Sequence, residues 1–193
     1  DYTMGVEFIN TFLYVEIDLF ALIILFFLLT TGSKTFHQEE QKLYHQSVLT
    51  LIIVLAFDAV TWAVDGKNFP GGREINIIFE TLYWMATLLP CYYGYLYCYE
   101  KVHEKKPSNR YRMIFYLPIL AGQIFLICNF FTGSVFYVSK EKVYARGPWY
   151  LPVGILPFVY IVMAVYIVLR KSYRVHAYEK RQFYMLAIYM GLP

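Results

Sequence analysis

The chain has 193 residues, of which 59% are hydrophobic and 16% are charged, and its formal net charge is +3. Soluble domains carry about 25% charged residues, so this composition argues against a soluble globular protein. No run of Lys and Arg is interleaved with stacking aromatic residues, and we predict no nucleic-acid partner. The cysteines Cys91, Cys98 and Cys128 show neither CxxC nor Cys/His spacing, so we predict no metal ion or other cofactor.

Long apolar blocks divide the chain into candidate transmembrane helices. A helix needs about 20 apolar residues to cross a bilayer. Because lipid offers no hydrogen-bond partner and the blocks do not alternate as barrel strands do, we predict helices. The expected spans are Phe8–Leu29, Val48–Val64, Ile75–Tyr99, Met113–Phe131, Leu151–Leu169 and a sixth that begins at Phe183. The prediction is an all-α polytopic bundle of about six spans, forming a single domain over residues 1–193.

The positions of the basic residues predict the orientation of this bundle. The first, third and fifth connections hold 12 of the 17 Lys and Arg residues, from Lys34 to Arg181, and the other two connections hold 5. Basic residues favour the cytoplasmic side, so the N-terminus is predicted to be extracytoplasmic. We expect a multi-pass protein of the plasma membrane, in contact with its lipids. The sixth span is cut off at Pro193 and must run outward, so a cytoplasmic C-terminal domain would need a seventh helix, which we expect beyond Pro193.

Four acidic residues lie inside the predicted spans: Glu16, Asp18, Asp58 and Glu80. A central Asp costs at least ~2.5 kcal/mol on insertion scales, so such residues need an explanation. All four fall in the outer half of the first three spans. One interpretation is an acidic, aromatic cavity that is open to the outside and suits a small cationic or amphipathic ligand. The other is that the acids are protonated, paired across helices or close to the membrane surface.

Helical spacing predicts which side chains share a face with these acids. Asp58, Thr61, Trp62 and Asp65 follow the i, i+3, i+4, i+7 pattern. Two further faces combine Asn76, Glu80, Tyr83, Trp84 and Thr87, and Thr11, Tyr14 and Asp18. Glu16 points away from Asp18, so we expect only one of the two to line a given cavity. The candidate ligand-binding residues are Tyr14, Glu16, Asp18, Asp58, Trp62, Glu80, Tyr83, Trp84, Asn129 and Arg146.

The fourth connection has the pattern of a short extracytoplasmic β-hairpin. The segments Ser134–Val138 and Val143–Tyr144 flank the polar turn Ser139–Lys142. Gly147 and Pro148 then return the chain to the membrane. This hairpin is either a lid over the acidic cavity or a surface loop.

Four stretches together carry a family resemblance. They are Tyr14-Val-Glu-Ile-Asp18, Asp58 with Trp62, Phe136-Tyr137 followed by Tyr144-Ala-Arg-Gly147, and Met190-Gly-Leu-Pro193. The chain resembles the N-terminal multi-helix membrane sensor regions of bacterial signalling proteins, most closely those fused to GGDEF (diguanylate cyclase) domains in Gram-positive bacteria. It is also similar to the seven-helix regions of some histidine kinases.

The resemblance implies a membrane-embedded ligand-sensing input domain that regulates a cytoplasmic output. That output would be a diguanylate cyclase, or else a histidine kinase, and a diguanylate cyclase implies a homodimer. The chain itself has no GGDEF motif, no phosphoacceptor His motif and no predicted catalytic residue. A small-solute transporter is the main alternative, although we find no inverted repeat of the kind that many transporters show. An intramembrane enzyme is the other alternative, for which only the acids qualify.

Overall fold

The computed structural model describes residues 2–31, 38–175 and 177–191. Six helices and a two-stranded sheet make up this part of the chain, which confirms the predicted helices and hairpin. Each predicted span falls in, or begins in, a separate helix. Lys34 and Pro193, which the sequence analysis used, lie outside the described residues. The elements are α1 (Tyr2–Thr31), α2 (Gln38–Val64), α3 (Gly72–His103), α4 (Asn109–Thr132), β1 (Phe136–Val138), β2 (Tyr144–Arg146), α5 (Tyr150–Ser172) and α6 (Ala177–Gly191).

Three helices in the described part of the chain are long and apolar enough to cross a membrane. They are Lys42–Val64 within α2, Asn109–Thr132, which is α4, and Tyr150–Ser172, which is α5. Helix α3 is longer still, but six tyrosines and Glu80 reduce its hydropathy. Other elements of the chain cover much of α3. Fewer of its residues can therefore face lipid, and fewer need to be apolar.

Helix α3 lies at the centre of the packing. It contacts α2, α4, α5 and β1, whereas α1 packs on α2 and α6 packs on α5. Two tyrosine hydroxyls join α3 and α5 to the first turns of α4. The Tyr92 hydroxyl donates to the Arg112 carbonyl at 3.0 Å, and the Tyr160 hydroxyl donates to the Phe115 carbonyl at 2.6 Å. These bonds tie α3 and α5 to the start of α4.

The hairpin follows directly from the end of α4. Gly133 adopts a left-handed conformation with φ of 60°, which suits glycine and ends the helix. Strand β1 then pairs antiparallel with β2, with Phe136 opposite Arg146. The observed second strand begins one residue later than predicted and continues to Arg146. Beyond Val138 and Tyr144 the chain turns through Ser139–Lys142, where the Lys142 amide donates to the Ser139 carbonyl at 3.0 Å and Lys142 has a positive φ of 65°.

Candidate functional site

A cavity of about 560 Å³ opens where α2 and α3 meet the hairpin and the start of α5. Two of the predicted helix faces form much of its wall, because residues spaced by three and four positions lie on one side of a helix. The hairpin contributes the rest, so it is part of the cavity wall. The lining residues are Asp58, Thr61, Trp62, Asp65, Glu80, Tyr83, Trp84, Tyr144, Ala145, Arg146 and Tyr150.

Asp65, at the end of α2, joins three elements through a single oxygen atom. Its Oδ1 accepts a hydrogen bond from Nδ2 of Asn76 on α3 at 2.9 Å. The same atom accepts from the backbone amide of Tyr144 on β2 at 2.8 Å. Asn76 is fully buried, so its amide needs a protein partner. Asp65 therefore sets the position of the hairpin relative to both helices.

Further bonds hold the hairpin from its other sides. Nε of Arg73 donates to the Val138 carbonyl at 3.1 Å. The Gly66 amide donates to the Lys142 carbonyl at 3.0 Å. The Lys142 ammonium donates to Oδ1 of Asn68 at 2.7 Å and to the Phe69 carbonyl at 2.9 Å. Because these contacts come from both ends of the α2–α3 connection, the hairpin is a fixed wall of the cavity.

Asn129 anchors the hairpin to α4 and lies away from the cavity. Its Oδ1 accepts from the Val135 amide at 2.7 Å, and its Nδ2 donates to the Phe136 carbonyl at 3.0 Å. The side chain is 2% exposed. The structure thus gives this predicted ligand-binding residue a place in the support of the hairpin.

Aromatic rings cover much of the cavity wall. Tyr14 on α1 stacks on Trp62, with ring centroids 4.3 Å apart and an interplanar angle of 14°. Trp84 meets Tyr150 edge to face at 5.2 Å. The Arg146 guanidinium lies over the same Tyr150 ring, 4.4 Å from its centroid. Offset and edge-to-face contacts fix the orientation of such rings and leave negative ring faces available to a cation.

Carboxyl groups give the cavity its electrostatic character. Asp58, Asp65 and Glu80 line it together with one cationic side chain, Arg146. Asp18 on α1 lies close enough to Asp58 for their charges to interact. It is 8% exposed, and its Oδ2 has no hydrogen-bond partner among the described residues. The excess of carboxyl groups favours a cationic occupant.

Tyr144 brings a phenol from the hairpin to this wall. Burial, together with the nearby Glu80 carboxyl, raises the pKa of Tyr144 above its ordinary value. The phenol is therefore uncharged at neutral pH. It can donate one hydrogen bond without adding a negative charge to the cavity. Its ring stacks on Phe136, with the centroids 5.8 Å apart.

The sequence-predicted residues divide into those at the cavity and those elsewhere. Six of them line it: Asp58, Trp62, Glu80, Tyr83, Trp84 and Arg146. Tyr14 contacts the site through its stack on Trp62. Asp18 lies near Asp58 but does not line the cavity. Glu16 is exposed, in keeping with the expectation that only one of the two acids faces a given cavity.

Sequence reasoning missed five lining residues as ligand-binding candidates: Thr61, Asp65, Tyr144, Ala145 and Tyr150. Asp65 was assigned to the correct helix face, so its spacing was a usable signal. The position of Tyr150 at the start of a span is typical of an aromatic residue at the membrane interface. It gives no sign that Tyr150 contacts Trp84. Tyr144 and Ala145 belong to the cavity only because β2 lies against α2 and α3, and no local pattern gives that position.

The remaining tests of the site concern metals and known proteins. Across the described residues, no three His, Cys, Asp or Glu side chains come together in a way that could hold a metal ion. Comparison of the chain with protein-family models, curated proteins and solved structures finds no match.

Proposed function

We propose that the chain is a membrane-embedded input domain, which binds a small cationic ligand from the extracytoplasmic side and regulates a cytoplasmic signalling output. One observation carries this proposal. Three carboxyl groups and five aromatic rings from α2, α3, α5 and β2 converge on one cavity of about 560 Å³. Carboxylates neutralise a positive charge, and the faces of Trp and Tyr attract it further. Acids within membrane helices are retained despite their cost chiefly where they serve such a site.

The proposal includes a membrane topology. We take all six helices as spans, with the N-terminus and the hairpin outside. Helix α1 supports this, because Ile17, Phe20, Ile23, Phe26 and Phe27 are each 62% to 68% exposed and lipid would cover such an apolar surface. An impermeant maleimide that labels Lys140→Cys only from the cytoplasmic side, in a variant lacking Cys91, Cys98 and Cys128, would contradict this topology.

A binding experiment with choline tests the cation site directly. We expect choline to bind the purified protein in nanodiscs, whereas 3,3-dimethyl-1-butanol, which has the same shape and no charge, binds at least about tenfold more weakly. Glu80→Gln should weaken choline binding by about tenfold, because it removes one buried carboxyl group while keeping the side-chain volume. Isothermal titration calorimetry gives the dissociation constants.

The control for that experiment is stability without ligand. If Asp58→Asn and Glu80→Gln lower the unfolding temperature and leave choline binding unchanged, the acids have a structural role and the ligand proposal fails. Glu16→Gln is the matched variant outside the cavity, since Glu16 is exposed on α1. It should change neither choline binding nor stability.

The kind of output domain is proposed from the resemblance to membrane sensor regions of bacterial signalling proteins. We propose a cytoplasmic diguanylate cyclase, or a histidine kinase in its place, working as a homodimer. The test is cyclic di-GMP synthesis, or autophosphorylation, by the full-length protein with and without a ligand of the cavity. A rate that does not respond to a bound ligand would contradict regulation by this domain.

A small-solute transporter is the second candidate, and Asp18 is the observation that favours it. A buried membrane acid with an unpartnered oxygen is a feature of ion and proton pathways. Uptake of radiolabelled choline into proteoliposomes decides between the two functions. Accumulation above that of the Glu80→Gln variant would support transport, whereas binding without accumulation supports the input domain.

A further inference from the structure

Arg146 places a positive charge in the cavity wall, and a purely cationic ligand would gain nothing from that charge. All three residues of β2, Tyr144, Ala145 and Arg146, line the cavity. The guanidinium lies 4.4 Å from the Tyr150 ring centroid. In the described parts of the chain, no salt bridge and no side-chain hydrogen bond involves this guanidinium, although three carboxyl groups line the same cavity.

The charges along the cavity therefore define two poles: an acidic pole at the deep end, and a hairpin end where Arg146 lies on the strand that Asp65 holds. The hairpin is attached at the level of Asp65, whose carboxylate holds the Tyr144 amide. Asp58 lies two helical turns further along α2, about 10 Å deeper at 1.5 Å per residue. Glu80 on α3 is close enough to both Asp65 and Asp58 for their charges to interact. Arg146 alone provides a positive charge, and it does so at the hairpin end.

A guanidinium at this rim repels a cation and attracts an anion. Its planar set of N–H donors matches a carboxylate or phosphate, to which it can donate two parallel hydrogen bonds. Stacking on Tyr150 limits its orientations, so less freedom is lost when it binds. A ligand with an amine at one end and an anionic group at the other would satisfy both poles.

We propose that the ligand of this cavity is a zwitterion, with its ammonium group at Asp58 and Glu80 and its carboxylate at Arg146. This inference rests on the proposed function, because it concerns the same cavity. It narrows the ligand from any small cation to an amphoteric compound, such as a betaine or an amino acid.

The experiment compares γ-butyrobetaine with its methyl ester. Both carry the same trimethylammonium group, and only the first has a free carboxylate. We expect the native chain in nanodiscs to bind the betaine about tenfold more tightly than the ester. Arg146→Gln should remove this preference by weakening betaine binding and leaving ester binding unchanged or improved. Arg146→Lys should restore part of the preference.

The matched control is Lys140→Gln, which removes one positive charge from an exposed position in the turn of the same hairpin. It should keep the preference. Equal affinity of the native chain for betaine and ester would overturn the zwitterion and leave a cation site. A preference that survives Arg146→Gln would overturn the role of Arg146. If choline, the ester and the betaine all fail to bind, the proposed function fails and the zwitterion with it.

Discussion

Gly147→Ala is expected to destabilise the protein by on the order of 3 kcal/mol, because overpacking against a rigid wall is costly. A Cβ at this position would lie 2.3 Å from the Ser134 carbonyl oxygen and 2.6 Å from its carbon. Both are backbone atoms, which cannot rotate away as the end of a side chain can. The Gly147 amide also donates to the Val135 carbonyl at 2.7 Å, so any shift of the chain breaks this bond.

Thermal unfolding in a fixed detergent measures this effect, with Gly154→Ala as the control. A Cβ on Gly154 would approach Trp84 no closer than 3.9 Å, which is ordinary van der Waals contact. Alanine is also favoured over glycine inside a helix by about 0.5–1 kcal/mol, so this variant should be as stable as the native chain or more so. Equal unfolding temperatures for Gly147→Ala and the native chain would show that the Gly133–Gly147 segment is not packed as described.

Two substitutions of Asp65 are expected to separate the support of the hairpin from the charge of the cavity. Asp65→Ala leaves the Asn76 amide and the Tyr144 amide without their acceptor. Each unsatisfied buried group costs about 1–3 kcal/mol, so the unfolding temperature should fall clearly. Asp65→Asn keeps a carbonyl oxygen that can accept both bonds, and its unfolding temperature should stay near that of the native chain.

The same two substitutions of Asp65 are expected to change the affinity for choline. Asp65→Asn should weaken choline binding about fivefold, because it removes a charge from the wall and keeps the geometry. Asp65→Ala should weaken it further, since the hairpin also loses its attachment to α2 and α3. If Asp65→Asn proves as unstable as Asp65→Ala, the carboxylate charge itself holds the hairpin. If choline binding is unchanged in Asp65→Asn, Asp65 does not contribute to recognition.

The helices and the composition of the cavity could largely be predicted from local sequence. Apolar blocks give the helices, and spacing by three and four residues put Asp58 with Trp62 and Glu80 with Trp84, because both depend only on helical geometry. The turn Ser139–Lys142 likewise gave the hairpin. Three helices in the described chain have the length and composition of spans, which supports the membrane assignment without fixing the number of crossings.

What could not be predicted depends on contacts between segments far apart in the chain. Asn129 looked like a polar residue facing a cavity, but its side chain bonds the main chain of Val135 and Phe136, and these partners appear only when the chain turns back at Gly133. Asp65 had the correct helix face, but its bond to Tyr144 joins residues 79 positions apart. The unpaired charge of Arg146 is also a property of the assembled wall, because its neighbours come from β2 and α5.

The way the hairpin is attached has a consequence for how the cavity can evolve. The helices hold β1 and β2 largely through main-chain groups, among them the Tyr144 amide and the Phe136, Val138 and Lys142 carbonyls. Main-chain groups are the same whatever the residue, so substitutions at Ala145 and Arg146 leave these bonds in place, whereas the Tyr144 ring also stacks on Phe136. A lineage could therefore change the chemistry of the cavity wall at two positions of one strand, while the scaffold that presents them stays as it is.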